Sequence, residues 1–297
     1  MPLSKYIHTL PTPNKGLAVF AKRMVPAGTA IIIEPALFSI PVPKFVPGRG
    51  FPLHEMSDAI TRSFQHLSPV EQRNFVALHN HRDDIESLDE DPTAPANLMS
   101  IFRTNAYNTG NDMVGIFPKI ARINHSCRPN AGNWWSERQQ MRIIYAFRDI
   151  TAGEEVTVSY IPLLKGVSER AKRLEQYGFA CDCIACTAGL DASKESDRRR
   201  WRVEEGLSNL KVKAHDGKSR TEVINKKLLI RAQHLVAIIE DEDILDYHLE
   251  ATQLIHAFAS QGQDSLLESN LAAKIELWIS WREGTSSVGP DPQMGRS

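Results

Sequence analysis

Arg122-Ile123-Asn124-His125-Ser126-Cys127-Arg128-Pro129-Asn130 is the stretch that decides how this chain is read. Asparagine, histidine and serine set donors and acceptors side by side on a short segment braced by Pro129, and Cys127 adds a soft ligand atom. Only four cysteines occur in 297 residues, and the other three, Cys181, Cys183 and Cys186, crowd into six positions. Three thiols that close have a single distant partner left, so they cannot all form independent disulfides. Four thiolates do complete a tetrahedral structural zinc site, with Zn–S bonds of about 2.3 Å. The alternative is a cluster of inert buried thiols. One zinc ion shared by Cys127, Cys181, Cys183 and Cys186 would draw Asn124 and His125 towards Phe179.

Outward from this segment the pattern alternates between short strands and helices. Residues 1–37 read as strands joined by turns: Gly16 to Phe20 is apolar, Val25 to Gly28 is a turn, and Ala30 to Ile33 is β-branched. Pro41, Pro43, Pro47 and Pro52 cannot sit in a central strand, so that stretch is a predicted loop. Leu53, Met56, Ile60, Phe64 and Leu67 have helical spacing. Ser68-Pro69-Val70-Glu71 is a capping box with proline at the first helical position, opening a second helix through Leu78. Residues 79–95 read as a solvated connection with a helical turn near 85–88, and residues 97–107 as helix again. Asn133 to Trp135 and Met141 to Tyr145 form a predicted hairpin whose two tryptophans, Trp134 and Trp135, face opposite sides. Ala152-Gly153 turns into a strand from Val156 to Tyr160. Ser168 to Tyr177 is a basic helix stopped by Gly178. Beyond Thr187 the predicted helices cover 195–213, 220–240, 244–260 and 264–281, before a Gly, Ser and Pro rich tail. The fold class is α+β.

Several of these segments, in order, resemble the SET-domain methyltransferases over residues 12–187, and more closely the SET core of the SMYD (SET and MYND) family. Asn14 to Ala21 is similar to the first SET motif. Gly115-Ile116-Phe117-Pro118 leading into Asn124 to Asn130 is similar to the second. Gly153 to Tyr160 resembles the segment that ends in the family's active-site tyrosine, and Gln176 to Cys186 the post-SET zinc segment. The resemblance implies small β-sheets around a pseudoknot, of β-clip type, in which the Asn124 and Tyr160 segments pass through one another's loops. It divides the chain into a SET domain at 1–177 with a helical insert at about 45–100, a post-SET zinc segment at 178–190, a helical region at 191–283 and a disordered tail at 284–297.

The same resemblance implies S-adenosyl-L-methionine as methyl donor, one structural Zn2+, and a protein substrate with a target lysine, such as a histone tail. Lys15, Gly16, Leu17, Asn105, Asn124, His125, Tyr160 and Phe179 would line the donor pocket, with the backbone of His125 weighing more than its ring. Tyr160 would be the catalytic residue, and Tyr177 with Phe179 would wall the substrate channel. Two departures stand out. No cysteine occurs between Met1 and Cys127, so these residues offer a MYND zinc module no thiolate ligands, and Asn14 replaces the first glycine of the family's Gly-x-Gly turn. Asparagine tolerates the left-handed backbone such a turn requires.

Composition narrows the function classes. Lys and Arg number 35 against 36 Asp and Glu, a formal net charge of −1, which argues against coating nucleic acid or an anionic membrane. No apolar run approaches the roughly 18 residues of a membrane span, and Met-Pro-Leu-Ser-Lys lacks the build of a signal peptide. The expectation is a soluble intracellular protein of the nucleus or cytoplasm, with no direct contact to nucleic acid or membrane. Arg198-Arg199-Arg200 with Arg202 reads as a solvated helix face before it reads as a nuclear signal. His79 and His81 have no cysteine neighbours and are assigned no metal. Two further functions compete: methylation of a small molecule or peptide natural product, and an inactive SET-like binding adaptor.

Overall fold

The computed structural model describes residues 5–13, 15–44, 52–81, 91–216, 222–260 and 265–286. Asn14, the predicted turn near 85–88 and most of the predicted tail lie outside them. Among the described residues four small sheets lie between Ile7 and Val158, as the α+β reading expects. β1 (Ile7–Thr12) and β2 (Gly16–Ala21) make an antiparallel hairpin with Thr12 opposite Gly16. Gly16 closes it at φ 66°, a left-handed conformation that favours glycine. β3 (Ala30–Glu34) is joined by a second hairpin, β8 (Ala131–Ser136) and β9 (Met141–Ala146), in the order β3-β9-β8. β4 (Ser39–Pro41), β5 (Tyr107–Asn108) and β6 (Met113–Gly115) stand in the order β4-β6-β5. The loop predicted from Pro41 thus starts one residue later. Pro41 ends an edge strand, where a missing N–H is tolerated.

The fourth sheet is the pair that matters for the site. β7 (Asn124–His125) runs parallel to β10 (Thr157–Val158), with Thr157 opposite Asn124 and Val158 opposite His125. The strand predicted from Val156 to Tyr160 is therefore shorter. Ser159 turns the chain by donating its hydroxyl to the Ile161 carbonyl at 2.6 Å, and Tyr160 leaves the ladder.

Among the described residues three helices intervene between β4 and β5: α1 (Leu53–Gln65), α2 (Pro69–Val76) and α3 (Pro95–Asn105). The capping box opens α2, with Glu71 N donating to Ser68 Oγ at 3.4 Å and Ser68 N to Glu71 Oε2 at 2.9 Å. Ile60, Phe64, Phe75, Ile101 and Phe102 bury against Ile40 and Ile116, which docks the insert on the β4-β6-β5 sheet. Each such side chain contributes about 1.5–3 kcal/mol on leaving water.

Past β10 come α4 (Val167–Leu174), a 3₁₀ turn over Glu175–Tyr177 and a stop at Gly178. Gly178 has φ 78°, and a Cβ there would lie 2.1 Å from the His81 ring, so only glycine lets the chain pass the end of the insert. The helical region holds α5 (Leu190–His215), α6 (Glu222–Asp241), a 3₁₀ turn at Leu245–Tyr247, α7 (His248–Ala259) and α8 (Ser265–Arg282). Its core, including Val203, Ala232, Ile239 and Phe258, is continuous with Cys127, Leu163 and Ala185. Among the described residues no helix is long and apolar enough to cross a membrane.

Two surface readings resolve differently. Trp135 packs edge-on against Phe117, while Trp134, 37 % exposed, lies under the Arg282 guanidinium and donates to Glu283. Of the arginine run, Arg200 is fully buried, contrary to the solvated face read from the sequence. The helical pitch sets it on the inner face of α5 with Ser196 and Val203, where it reaches the carbonyls of Leu163 and Cys127.

Candidate active site

The elements above meet at a cavity of about 770 Å³, inside the range of roughly 300–1,000 Å³ usual for small-molecule sites. Its walls come from Lys15 to Leu17 at the β1–β2 turn, Asn124 and His125 of β7, Tyr160, and Tyr177 to Asp182. The end of α3 adds Asn105, and the chain after α2 adds His79 and Asn80. All the residues assigned from the sequence to donor pocket and substrate channel therefore line one space.

Asn124 donates its side-chain amide to Glu155 Oε1 at 2.8 Å and to the Leu17 carbonyl at 3.4 Å, tying the first motif to the second. Lys15 spans the same edge, with its ammonium 3.1 Å from Asp182 and 3.6 Å from Glu155. Burial lowers the Lys15 pKa, but the carboxylates of Asp182 and Glu155 outweigh it and hold it above its ordinary value. Asn105 donates to the carbonyls of Ile101 and His79, both at 2.7 Å, and so fixes α3 against the segment that follows α2.

The Tyr160 ring is ringed by other aromatics, with centroids 5.4 Å from His125, 5.0 Å from Tyr177 and 6.3 Å from Phe179. Its hydroxyl donates to the Ile123 carbonyl at 2.5 Å, and the Tyr177 hydroxyl donates to the Tyr160 carbonyl at 3.4 Å. Burial pushes the Tyr160 phenol well above its ordinary pKa and the neighbouring Tyr107 phenol up to about 12. Both stay protonated at neutral pH, so Tyr160 is a hydrogen-bond donor and not a base. The His125 ring is engaged as well. It is 5 % exposed, accepts from Tyr160 N at 3.0 Å, and is pushed down to about 4 chiefly by burial.

Next to this wall the four cysteine sulfurs lie within 4.8 Å of one another, with Cys127 and Cys186 at 3.6 Å. A tetrahedral zinc with four sulfurs about 2.3 Å away has S···S edges of about 3.8 Å, so the spacing fits. Hydrogen bonds among the crowded sulfurs push Cys183 and Cys186 below the ordinary thiol range and Cys127 and Cys181 above it. Divided protonation of this kind is what a divalent cation would relieve.

Sequence reasoning missed His79, Asn80 and Asp182. His79 and Asn80 sit in a stretch read as a solvated connection, yet the Asn80 side-chain oxygen is buried with no hydrogen-bond partner among the described residues. Asp182 lies between two metal-ligand candidates, and its pairing with Lys15 had no local signal.

The SET domain family matches residues 16–161 of this chain, the span that holds β2, β7, β10 and Tyr160. It is similar to histone-lysine N-methyltransferase set5 of Schizosaccharomyces pombe, 28 % identical over 253 residues, covering 84 % of this chain and 69 % of that protein. It is also similar to histone-lysine N-methyltransferase SMYD3 of Mus musculus, 39 % identical over 161 residues, covering 52 % of this chain and 36 % of that protein. Histone-lysine N-methyltransferase ASHR1 of Arabidopsis thaliana is 27 % identical over 186 residues, covering 58 % of this chain and 38 % of that protein. The chain thus spans little more than a third of SMYD3 and ASHR1.

Proposed function

We propose that this chain is an S-adenosylmethionine-dependent protein-lysine N-methyltransferase acting on a histone or another protein. The observation that carries this is the single cavity in which Lys15 to Leu17, Asn124, His125, Tyr160 and Phe179 converge from separate parts of a SET domain. S-adenosylmethionine supplies a methyl group on a sulfonium. The backbone of Lys15 to Leu17, the Asn124 side chain, the His125 backbone and the Phe179 ring hold the donor, with Asn105 behind them. Tyr160 stands where donor and acceptor meet, and Tyr177 with Phe179 walls the lysine channel.

The transfer forms an N–C bond as the C–S bond breaks, and positive charge moves from sulfur to nitrogen. The chain therefore has to align the two partners and keep water out. Tyr160, held neutral by burial, orients the reacting groups by hydrogen bonding and takes no proton. The ammonium proton leaves to solvent before transfer; in the aromatic channel desolvation disfavours the charged form while the ring faces attract it.

Cys127, Cys181, Cys183 and Cys186 would hold one Zn2+, whose role with four thiolate ligands would be structural. The parallel β7–β10 pairing supports the pseudoknot, and the division at 177 and 190 belongs to the same reading.

Incubation with labelled donor, purified histones and a cell-extract protein pool tests the function. Transfer to protein lysine is expected, with Tyr160→Phe slower by at least about tenfold, equivalent to roughly 1.4 kcal/mol of barrier. Turnover of a metabolite extract with no labelled protein overturns it, and Tyr160→Phe equal to the unaltered chain overturns the role given to Tyr160.

A further inference from the structure

The geometry points to the His125 imidazole as a positioning residue that couples the metal centre to Tyr160, with one ring nitrogen committed to each. This rests on the zinc and methyltransferase reading above. A backbone N–H can only donate, and that of Tyr160 meets His125 Nδ1 at 3.0 Å. Nδ1 therefore carries no proton, and in the neutral ring the proton sits on Nε2. Nε2 lies 3.3 Å from Cys127 Sγ, so its N–H donates to the sulfur. The tautomer that the Tyr160 contact favours is the one that the sulfur requires.

Surrounding packing leaves the ring little freedom. Tyr160 and Phe179 flank it at centroid distances of 5.4 and 6.2 Å. Cys127 is held from the other side, where buried Arg200 donates to its carbonyl at 3.0 Å. Tyr160 has turned out of the β7–β10 ladder, so its N–H depends on His125 for a partner. A hydrogen bond to an ionised, metal-bound sulfur is stronger than one to a thiol, and donors to metal ligands orient them and hold the ion. Metal occupancy thus favours the ring orientation that keeps Tyr160 in place.

Two variants separate the ends of the ring. In His125→Asn the carboxamide oxygen stands close to the place of Nδ1 and can accept from Tyr160, but nothing reaches Cys127. In His125→Gln the longer amide reaches the sulfur and abandons Tyr160. With the full chain, His125→Asn is expected to lose zinc to a chelator at least about tenfold faster, while His125→Gln keeps the metal and loses turnover at saturating donor. The unaltered chain exchanged into cadmium-113 should give an Nε2–H proton coupled to the metal, and stripping the metal should shift the Tyr160 amide resonance.

An Nδ1–H tautomer overturns the inference, as does a Tyr160 amide that ignores metal removal or two variants that fail equally in both assays. The resonance and metal-loss readouts need no substrate. A chain inactive on lysine with the coupling intact would sink the proposed function and leave the His125 assignment standing. The unaltered chain alone decides the matter if the variants do not fold.

Discussion

Arg200, in the middle of α5, donates one arm of its guanidinium to the Cys127 carbonyl at 3.0 Å and the other to the Leu163 carbonyl at 2.8 Å. The helical region is thereby fastened to the loop that carries the candidate metal ligand and to the chain just past Tyr160. Glu242, also fully buried, balances the charge by accepting from Ser196 at 2.7 Å and Arg199 at 2.5 Å.

Removing the fork leaves two carbonyls without their donor and the Glu242 pairing weakened. Arg200→Met is expected to lower unfolding free energy by about 3 kcal/mol, read from urea denaturation. Arg200→Lys should recover only part, because one ammonium cannot reproduce a planar two-armed donor. Full stability in Arg200→Met would show that the helical region holds to the strand-rich region without this contact.

The second prediction concerns Asp246, in the turn before α7. Burial pushes its carboxyl up to about 7, and one of its oxygens has no hydrogen-bond partner among the described residues. An acid whose folded pKa lies above its unfolded value binds more protons when folded. Stability from this group is therefore complete below about pH 4 and declines as pH rises towards 7. Asp246→Asn is expected to stabilise the protein above pH 7 by on the order of 2 kcal/mol, with no gain at pH 4. Thermal melts across that range test the sign, and a gain that grows towards acid pH would contradict it.

Metal content gives a third test. One zinc per chain is expected by elemental analysis after purification without chelator. Stripping it should lower the melting temperature, because Cys127, Cys181, Cys183 and Cys186 border the same core as Leu163 and Val203. A chain that holds no zinc and melts identically with and without chelator would return the cluster to buried thiols.

What the sequence made legible follows from how local each interaction is. The Ser68–Glu71 capping box, the 131–146 hairpin and the four late helices depend on neighbours a few residues apart, and the residues there announce them. The four-cysteine set was legible by count. Arg200 was not, since a basic triplet reads as solvated until the pitch of α5 carries its middle turn to a carbonyl 73 residues away. Tyr160 leaving its strand depends on the Ser159 hydroxyl and on a histidine ring from another segment. His79 and Asn80 were missed because polarity alone does not say whether a connection faces bulk water or a cavity.

The fourth prediction weighs the two jobs of Asn124. Its amide holds Glu155 and the Leu17 carbonyl, so it shapes the β1–β2 turn as well as lining the cavity. If the donor sits against that turn, Asn124→Ala removes both a direct contact and the brace that orients Lys15 to Leu17. Calorimetric titration with S-adenosylmethionine is expected to show affinity at least about tenfold weaker, roughly 1.4 kcal/mol. Unfolding free energy should fall by only about 1 kcal/mol, because the lost hydrogen bonds lie at the partly solvated cavity rim. Equal losses in both measurements would mean that Asn124 acts through the fold alone. Undiminished affinity would move the donor away from the first motif, and with it the roles given to Lys15, Gly16 and Leu17.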